Sequence, residues 1–492
     1  MRILSCALLA LMAGGPVFAQ ANTAASPAVL TLDEAIALAR RNNPTHLQTR
    51  SARERAGAAL RSSYGAFLPQ ISTGFAGGYR EGRQQFFGGQ AFGSTSDVIS
   101  TDARLDVSAQ YSLSTFMAPK VERATLAATE ADITNSEATL RATVANQYLT
   151  ALQAQARAVL QDSLLVSTQA QLELARARQS VGAATTLDVR QAEVQVGQQQ
   201  VAVIRERNTA EIEKLRLFQQ MGVQQPENVT LTTEFPVSEP NLQVGELLNA
   251  ARRSNPALEA ARSRERAADT RVSQARAAYT PTLRLSTGIS GFTSQERDFD
   301  LNSMRQGVEA SRAGCFETDA IRQAAGLESR LQTCLDRNPE WSPSLASAFQ
   351  SQNEKYPFDF TRDPINFSVS LSLPIFNGFQ REQGVQEAAT FRNDARYNVR
   401  AQELRLIADV SAAHRNLNTA YQTVRLQESN SQAAREALAL AQERFRVGAS
   451  TFVDLTQARA AYEQAETDRI NAIYEFHKAF AALESAVGRP LR

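Results

Sequence analysis

The sequence predicts a mostly α-helical fold that carries strands of membrane β-barrel character and is laid out as two internal structural repeats. The repeat is read from its turns and caps. Ser180 to Ala192, SVGAATTLDVRQA, returns 266 positions later as Arg446 to Ala458, RVGASTFVDLTQA. Arg40-Arg41-Asn42-Asn43-Pro44 returns 212 positions later as Arg252-Arg253-Ser254-Asn255-Pro256, and Phe67-Leu68-Pro69 returns at that offset as Tyr279-Thr280-Pro281. Solenoid units run to about 20–50 residues, so each copy here is a large structural half. The other two observations are period-two strands and very long helices, one set in each half.

The chain opens with Met1-Arg2, an apolar run from Ile3 to Ala13, and Val17-Phe18-Ala19. This is the pattern of a secretory signal peptide, residues 1–19, cut after Ala19. The run is too short to cross a bilayer, and no later stretch approaches the ~18 apolar residues of a transmembrane helix. Barrel strands escape that test, because apolar and polar residues alternate along them. With 52 basic and 51 acidic residues, the charge is nearly balanced, and no nucleic-acid partner is indicated.

Residues 20–222 form the first repeat, 223–260 a connecting segment that begins the second, 261–488 the second repeat, and 489–492 a tail. Thr31 and Glu34 have the spacing of a capping box that opens a short helix. Asn43-Pro44 ends it and starts the next, since a first helical residue needs no N–H; Asn255-Pro256 repeats this. After Phe67-Leu68-Pro69 the period changes to two. Strands are expected at about 70–80 and 104–115, and in the second half at about 282–292 and 365–375. Leu105, Val107, Ala109, Tyr111 and Leu113 oppose Asp106, Ser108, Gln110 and Ser112, while Ile365, Phe367, Val369, Leu371 and Leu373 oppose Asn366, Ser368, Ser370 and Ser372. Four strands cannot close a barrel, for which about eight is the smallest number. They make either a small sheet or a share of a barrel built by several chains.

Long helical hairpins are expected at about 119–221 and 378–487. Heptad steps run through Leu126, Ile133, Leu140, then Leu152, Val159, Val166, and through Val410, Leu417, Val424. The rest of each helix is rich in Ala, Gln, Glu, Arg, Ser and Thr, which suits a thin wall with water on both sides. Gly222 and Gly488 close the hairpins as C′ residues.

The halves differ in an insertion at 292–364, which contains Trp341 and a helix-like stretch from Asp319 to Leu335. A loop of this length belongs on the cell-surface side of a barrel. Its cysteines, Cys315 and Cys334, are expected to form a disulfide in an oxidising compartment; two reduced thiols are the alternative that spacing leaves open.

On Leu371-Ser372-Leu373-Pro374-Ile375-Phe376-Asn377-Gly378, on Arg444-Phe445-Arg446-Val447-Gly448 with Asp454 six residues later, and on the two Asn-Pro helix ends, the chain resembles the TolC-like outer membrane factor family. That resemblance implies a homotrimer whose three chains share one twelve-stranded barrel in the outer membrane lipid, four strands per chain. It implies a long periplasmic α-helical coiled-coil tube continuing the barrel, and a band of short helices, here 31–43 and 223–260. A periplasmic adaptor protein would dock on the tips, Val181-Gly182-Ala183 and Val447-Gly448-Ala449, and an inner-membrane transporter would feed the duct. Asp454 matches an acidic position at the family's periplasmic aperture. The family's second acidic position is Gln457 here, so a double ring is not expected.

Asp188 and Asp454 carry two readings. A carboxylate ring at a narrow opening favours cations. Equally, Thr185 with Asp188 and Thr451 with Asp454 have capping-box spacing, which needs no pore. The expected function is an outer membrane duct of a tripartite export system, for multidrug efflux or type I protein secretion. The alternative is a secreted or periplasmic coiled-coil structural or adhesive protein. No enzyme, cofactor or metal site is expected: His46, His414 and His477 are scattered packing residues, and no H-E-x-x-H, phosphate-loop or nucleophile-elbow motif occurs.

Overall fold

The computed structural model describes residues 29–82, 85–87, 90–92, 96–226, 229–232 and 235–491; the expected signal peptide lies outside them. In chain order they form β1 (Val29–Leu30), α1 (Leu32–Asn42), α2 (Pro44–Gly65), β2 (Gln70–Arg80), β3 (Gln85–Phe87), β4 (Gln90–Phe92), β5 (Val98–Ser112), α3 (Leu113–Ser180) and α4 (Thr186–Met221). There follow β6 (Thr230–Leu231), α5 (Val244–Ser254), α6 (Pro256–Arg276), β7 (Thr282–Glu296), α7 (Leu301–Ala324), α8 (Leu331–Arg337) and α9 (Pro343–Asn353). Last come β8 (Thr361–Arg362), β9 (Asn366–Ser372), α10 (Gln380–Arg446) and α11 (Phe452–Val487). The chain divides into one unit of residues 1–57, 124–268 and 391–492, and another of residues 58–123 and 269–390.

The second unit is built on an antiparallel sheet in the order β2-β5-β7, with β9 beside β7 along most of its length and β8 beside its far end. Its register aligns side chains into rows. Ile71 pairs with Val107, Val107 with Thr287 and Thr287 with Phe367; Tyr111 pairs with Leu283 and Leu283 with Leu371. Successive residues point to opposite faces, so these apolar residues share one face while Ser108, Ser286 and Ser368 share the other. Over much of its length the apolar face is bare: Ile71, Phe367 and Leu371 are all exposed. β2 forms one lateral edge of this five-stranded sheet, and β9 with the two-residue β8 forms the other.

Boundaries differ from expectation in both halves: the strand expected at 282–292 runs to Glu296, and that expected at 365–375 spans Asn366–Ser372. The strand expected at 104–115 is longer at its start and ends at Ser112, and the helix expected from about 119 begins at Leu113. Ser112 is the cause: its hydroxyl accepts the backbone N–H of Thr115, the third helical residue, at 3.1 Å. Pro119 then lies inside α3. In the insertion, the helix expected at Asp319–Leu335 is split between α7 and α8. Gly326, at φ 70°, stops α7, with Leu327 N–H bonding the Arg322 carbonyl at 2.9 Å. The buried Asp319 carboxylate then accepts bonds from Gln323, Ser329 and the Arg330 N–H, fixing the turn. Cys315 and Cys334 are joined by a disulfide with a Cα separation of 5.7 Å.

The first unit is helical, and the two halves pack alike within it. α1 buries Ala35, Leu38 and Ala39 against Leu140, Val144 and Tyr148 of α3 and Leu217, Phe218 and Met221 of α4. α5 buries Leu247, Ala250 and Ala251 against Val410 and Leu417 of α10 and Phe476 and Leu483 of α11. β1 and β6 add a short parallel pair that periodicity does not reveal. Among the described residues no helix is long and apolar enough to cross a membrane.

The heptad seam of α10 extends further than the expected three residues. Val410, Leu417, Val424, Ser431, Leu438 and Phe445 are all buried. In α3 the expected Val159 and Val166 are exposed. The expected Leu140 and Leu152 are buried, and a further buried row, Ala154, Gln161, Thr168 and Ala175, is again seven apart. Small or hydrogen-bonded residues line this row, so apolar periodicity loses the buried face after Leu152.

Candidate functional site at the helical turns

The site is the pair of turns joining α3 to α4 and α10 to α11. Both halves build it from the same two devices. Ala183 N–H bonds the Arg178 carbonyl at 2.8 Å and Gly182 N–H bonds the Gln179 carbonyl at 3.0 Å; Ala449 and Gly448 do the same with Arg444 and Phe445, at 2.8 and 3.1 Å. This is the Schellman arrangement, which needs a left-handed residue at C′. Gly182 and Gly448 supply it at φ 75° and 79°. Three residues on, the next helix starts on a capping box. The Asp188 carboxylate accepts the Thr185 N–H and hydroxyl, both at 2.8 Å. Asp454 accepts those of Thr451 at 3.0 and 2.8 Å.

The Thr451 N–H, and then its hydroxyl, hold the Asp454 carboxyl below its ordinary pKa. Asp454 is therefore ionised at neutral pH, and it is exposed, as is Gln457 one turn further along. Asp188 is half-buried. A cap uses the carboxylate as an acceptor without neutralising it, so both readings of Asp454 describe one charged group.

Beneath the turns, Leu172, Ala175, Val189, Ala192, Leu438, Phe445, Phe452 and Leu455 form a small core drawn from all four helices. The two halves differ here. Phe445 and Phe452 pack edge to face, with ring centres 6.0 Å apart. At the matching positions of the first half, Gln179 instead donates to the Thr186 hydroxyl at 3.1 Å. Arg178 joins the two turns: it donates to the Phe445 carbonyl at 2.6 Å and lies over the Phe445 ring at 4.7 Å. Its counterpart Arg444 is exposed. Arg178 carries no signal in the sequence, since a lone arginine before a turn has no motif.

The outer surface of each turn is apolar. Val181 and Leu187 are 77% and 64% exposed, and Val447 and Val453 are 72% and 61% exposed. Ala183 and Ala449 are exposed beside them. Leu187 and Val453 were also missed; the available signal was an apolar residue at the second helical position, where a cap leaves no core to fill. Elsewhere His46 and His477 are buried, His477 between the rings of Phe235 and Phe476, and His414 bonds the Leu242 carbonyl. Among the described residues no cluster able to hold a metal occurs.

The family described as outer membrane efflux protein matches residues 35–223 and 293–489. The chain belongs to that family. Solved structures share its fold at low identity. A membrane protein from Pseudomonas aeruginosa is 19% identical with a TM-score of 0.66, over 93% of this chain and 90% of that one. The outer membrane protein VceC of Vibrio cholerae is 17% identical with a TM-score of 0.64, over 94% and 97%. The MtrE outer membrane channel of Neisseria gonorrhoeae, in its open state, is 18% identical with a TM-score of 0.66, over 94% and 89%. No curated protein matches the chain in sequence. As an outer membrane efflux protein it is a duct in the outer membrane with a large periplasmic helical portion, and not an enzyme. The secreted-rod alternative falls away, since it leaves the sheet and the family match unexplained.

Proposed function

We propose that this outer membrane efflux protein works as a homotrimer in a tripartite export system, receiving cargo from an inner-membrane transporter through a periplasmic adaptor that docks on the turns. The observation that carries the reading is the pair of matched turns: each is rigidly capped, yet exposes a valine and a second apolar residue. A soluble turn gains nothing from such exposure, whereas a docking tip does. Three copies supply six of these tips. They also supply twelve strands, and the two open edges of each sheet call for neighbours. Val159 and Val166 on α3, and Val194 and Val201 on α4, are exposed at heptad spacing, which suits lateral packing between copies. The Asp454 carboxylates, three in the assembly, would bias the aperture toward cations; with Gln457 uncharged, there is one such ring and not two, and the half-buried Asp188 is left mainly its cap.

The test replaces Val181 and Val447 together with Asp. Both are exposed, so the trimer should still form and resist unheated denaturing electrophoresis while export is lost. Export at the parental level through the double variant would contradict docking at the turns.

A further inference from the structure

After α9 the insertion does not return to the sheet by its edge alone. It crosses the apolar face. Thr101, Phe75 and Gly291 belong to the same face as Ile71, Leu105 and Ile289, being an even number of residues away along their strands. The Thr101 hydroxyl donates to the Pro357 carbonyl at 3.0 Å. The Phe360 ring meets Phe75 edge to face, with centres 6.3 Å apart. Over Gly291 there is no room for a side chain: a Cβ there would stand 3.1 Å from the Thr361 carbonyl oxygen and 3.2 Å from the Phe360 Cβ. A glycine in mid-strand at a point where another segment crosses is thereby explained. Thr101 and its register partner Thr293 are buried, in contrast to the bare residues further along the same face.

The crossing segment is a tight turn, with Asp359 N–H bonded to the Lys355 carbonyl at 2.9 Å. Its crest is Phe358, 75% exposed. The insertion's helices are tied in at the same end, where Asn353 bonds both the N–H and the carbonyl of Glu296, at 2.6 and 3.2 Å.

Height decides what this turn meets. Leu283 and Leu371 mark the helix-side end of the apolar rows, and Thr293 lies ten residues beyond Leu283. Ten residues are about 34 Å along a strand, or about 26 Å of height at a tilt of about 40°. An outer membrane barrel carries an apolar band about 25 Å tall, edged by aromatic residues. The turn therefore crosses the face at the outer edge of that band.

We propose that residues 355–361 form a membrane-surface strap: Phe358 and Phe360 enter the boundary between hydrocarbon and headgroups of the outer leaflet and seat the insertion on the lipid beside the barrel. The occupant of this patch is lipid, because the patch continues, through Phe75 and Phe360, the face that an outer membrane protein turns to lipid, while the exposed Asp359 between the two phenylalanines suits the headgroup side of that boundary.

The test uses the full-length channel with Trp341, its one tryptophan, replaced by Phe. A single tryptophan is then introduced at Phe358 (F358W), at Val369 on the same face (V369W) or at Gln110 on the opposite face (Q110W). Each variant is reconstituted in vesicles of phosphatidylcholine brominated on its acyl chains, which quench tryptophan on contact. The expected result is quenching of F358W and V369W but not of Q110W. An unquenched F358W beside a quenched V369W, with the strap in water or against a neighbouring copy, overturns the proposal. Quenching of neither overturns it as well, since the strap's place depends on that face meeting lipid.

Discussion

Asn43 and Asn255 each do two jobs at once. The Asn43 carbonyl oxygen of the side chain accepts the His46 N–H and caps α2, while its amide donates to the Gln220 carbonyl at the end of α4. Asn255 caps α6 through Leu258 and donates to Ala486 near the end of α11. Each thus ties a short-helix corner to the close of a long hairpin. The hairpin's last glycine completes the fit: a Cβ on Gly222 would stand 2.5 Å from the Asn42 carbonyl oxygen, and one on Gly488 2.7 Å from that of Ser254. Asn43→Ala or Asn255→Ala should cost about 1–2 kcal/mol, read as earlier unfolding in denaturant. Gly222→Ala should cost more than the about 1–2 kcal/mol of left-handed strain alone, because a backbone oxygen must also move. Equal effects of N43A and of a neighbouring exposed substitution such as Thr45→Ala would contradict the double role.

Asp454 is a helix cap by its hydrogen bonds and an aperture residue by proposal. Its folded pKa is depressed, chiefly by the Thr451 N–H. The cap's contribution is therefore complete above the unfolded carboxylate value of about 4 and fades as pH falls through the lower folded value. Amide protection in residues 449–457, taken relative to the intrinsic exchange rate at each pH, should fall on acidification through that window and stay flat from pH 6 to 8. Asp454→Asn removes the charge at every pH. Planar-bilayer recordings of the variant should show reduced preference for cations, and an unchanged preference would leave Asp454 as a cap alone.

At the scale of elements, the interior of the helical unit is partly polar. Arg459 is buried on α11 and donates to Thr168 and to the Leu164 carbonyl of α3. Glu466, seven residues on, accepts from Ser431 of α10 and pairs with Arg469. Polar groups at heptad positions fix which layer meets which, at some cost in stability. Glu466→Ala leaves Ser431 and a half-buried guanidinium without their acceptor. It should cost about 1–3 kcal/mol, read as a lower temperature for dissociation of the assembly. Glu466→Ala matching the parental protein would show that the layer contributes nothing.

The same polar seam explains what was legible from the amino-acid pattern and what was not. Strand β2 falls at the expected 70–80, and all three capping boxes and the helix-closing Gly222 and Gly488 occupy their expected places, because each depends on local backbone chemistry. The start of α3 was misplaced because Ser112 caps it from within an alternating strand run. The seam of α3 was misread in part because Gln161 donates to Glu463 and Thr168 accepts from Arg459, both on α11, partners that no local window contains. At the turns, Gly182, Gly448 and the two aspartates were visible as punctuation. Arg178 was not, since its partner Phe445 is 267 residues away.

At the scale of the whole molecule, one chain is an incomplete object. It has a sheet with two open edges, a bare apolar face and two capped turns with exposed valines. In the proposed assembly lipid would cover the face, an adaptor the turns, and further copies the edges. The last of these is the central claim, because without closure there is no duct. It is tested most directly by the mass of the particle extracted from the outer membrane in detergent, measured by native mass spectrometry. Three copies of the chain in one particle is the predicted result. A monomer that still conducts in planar bilayers would contradict the account.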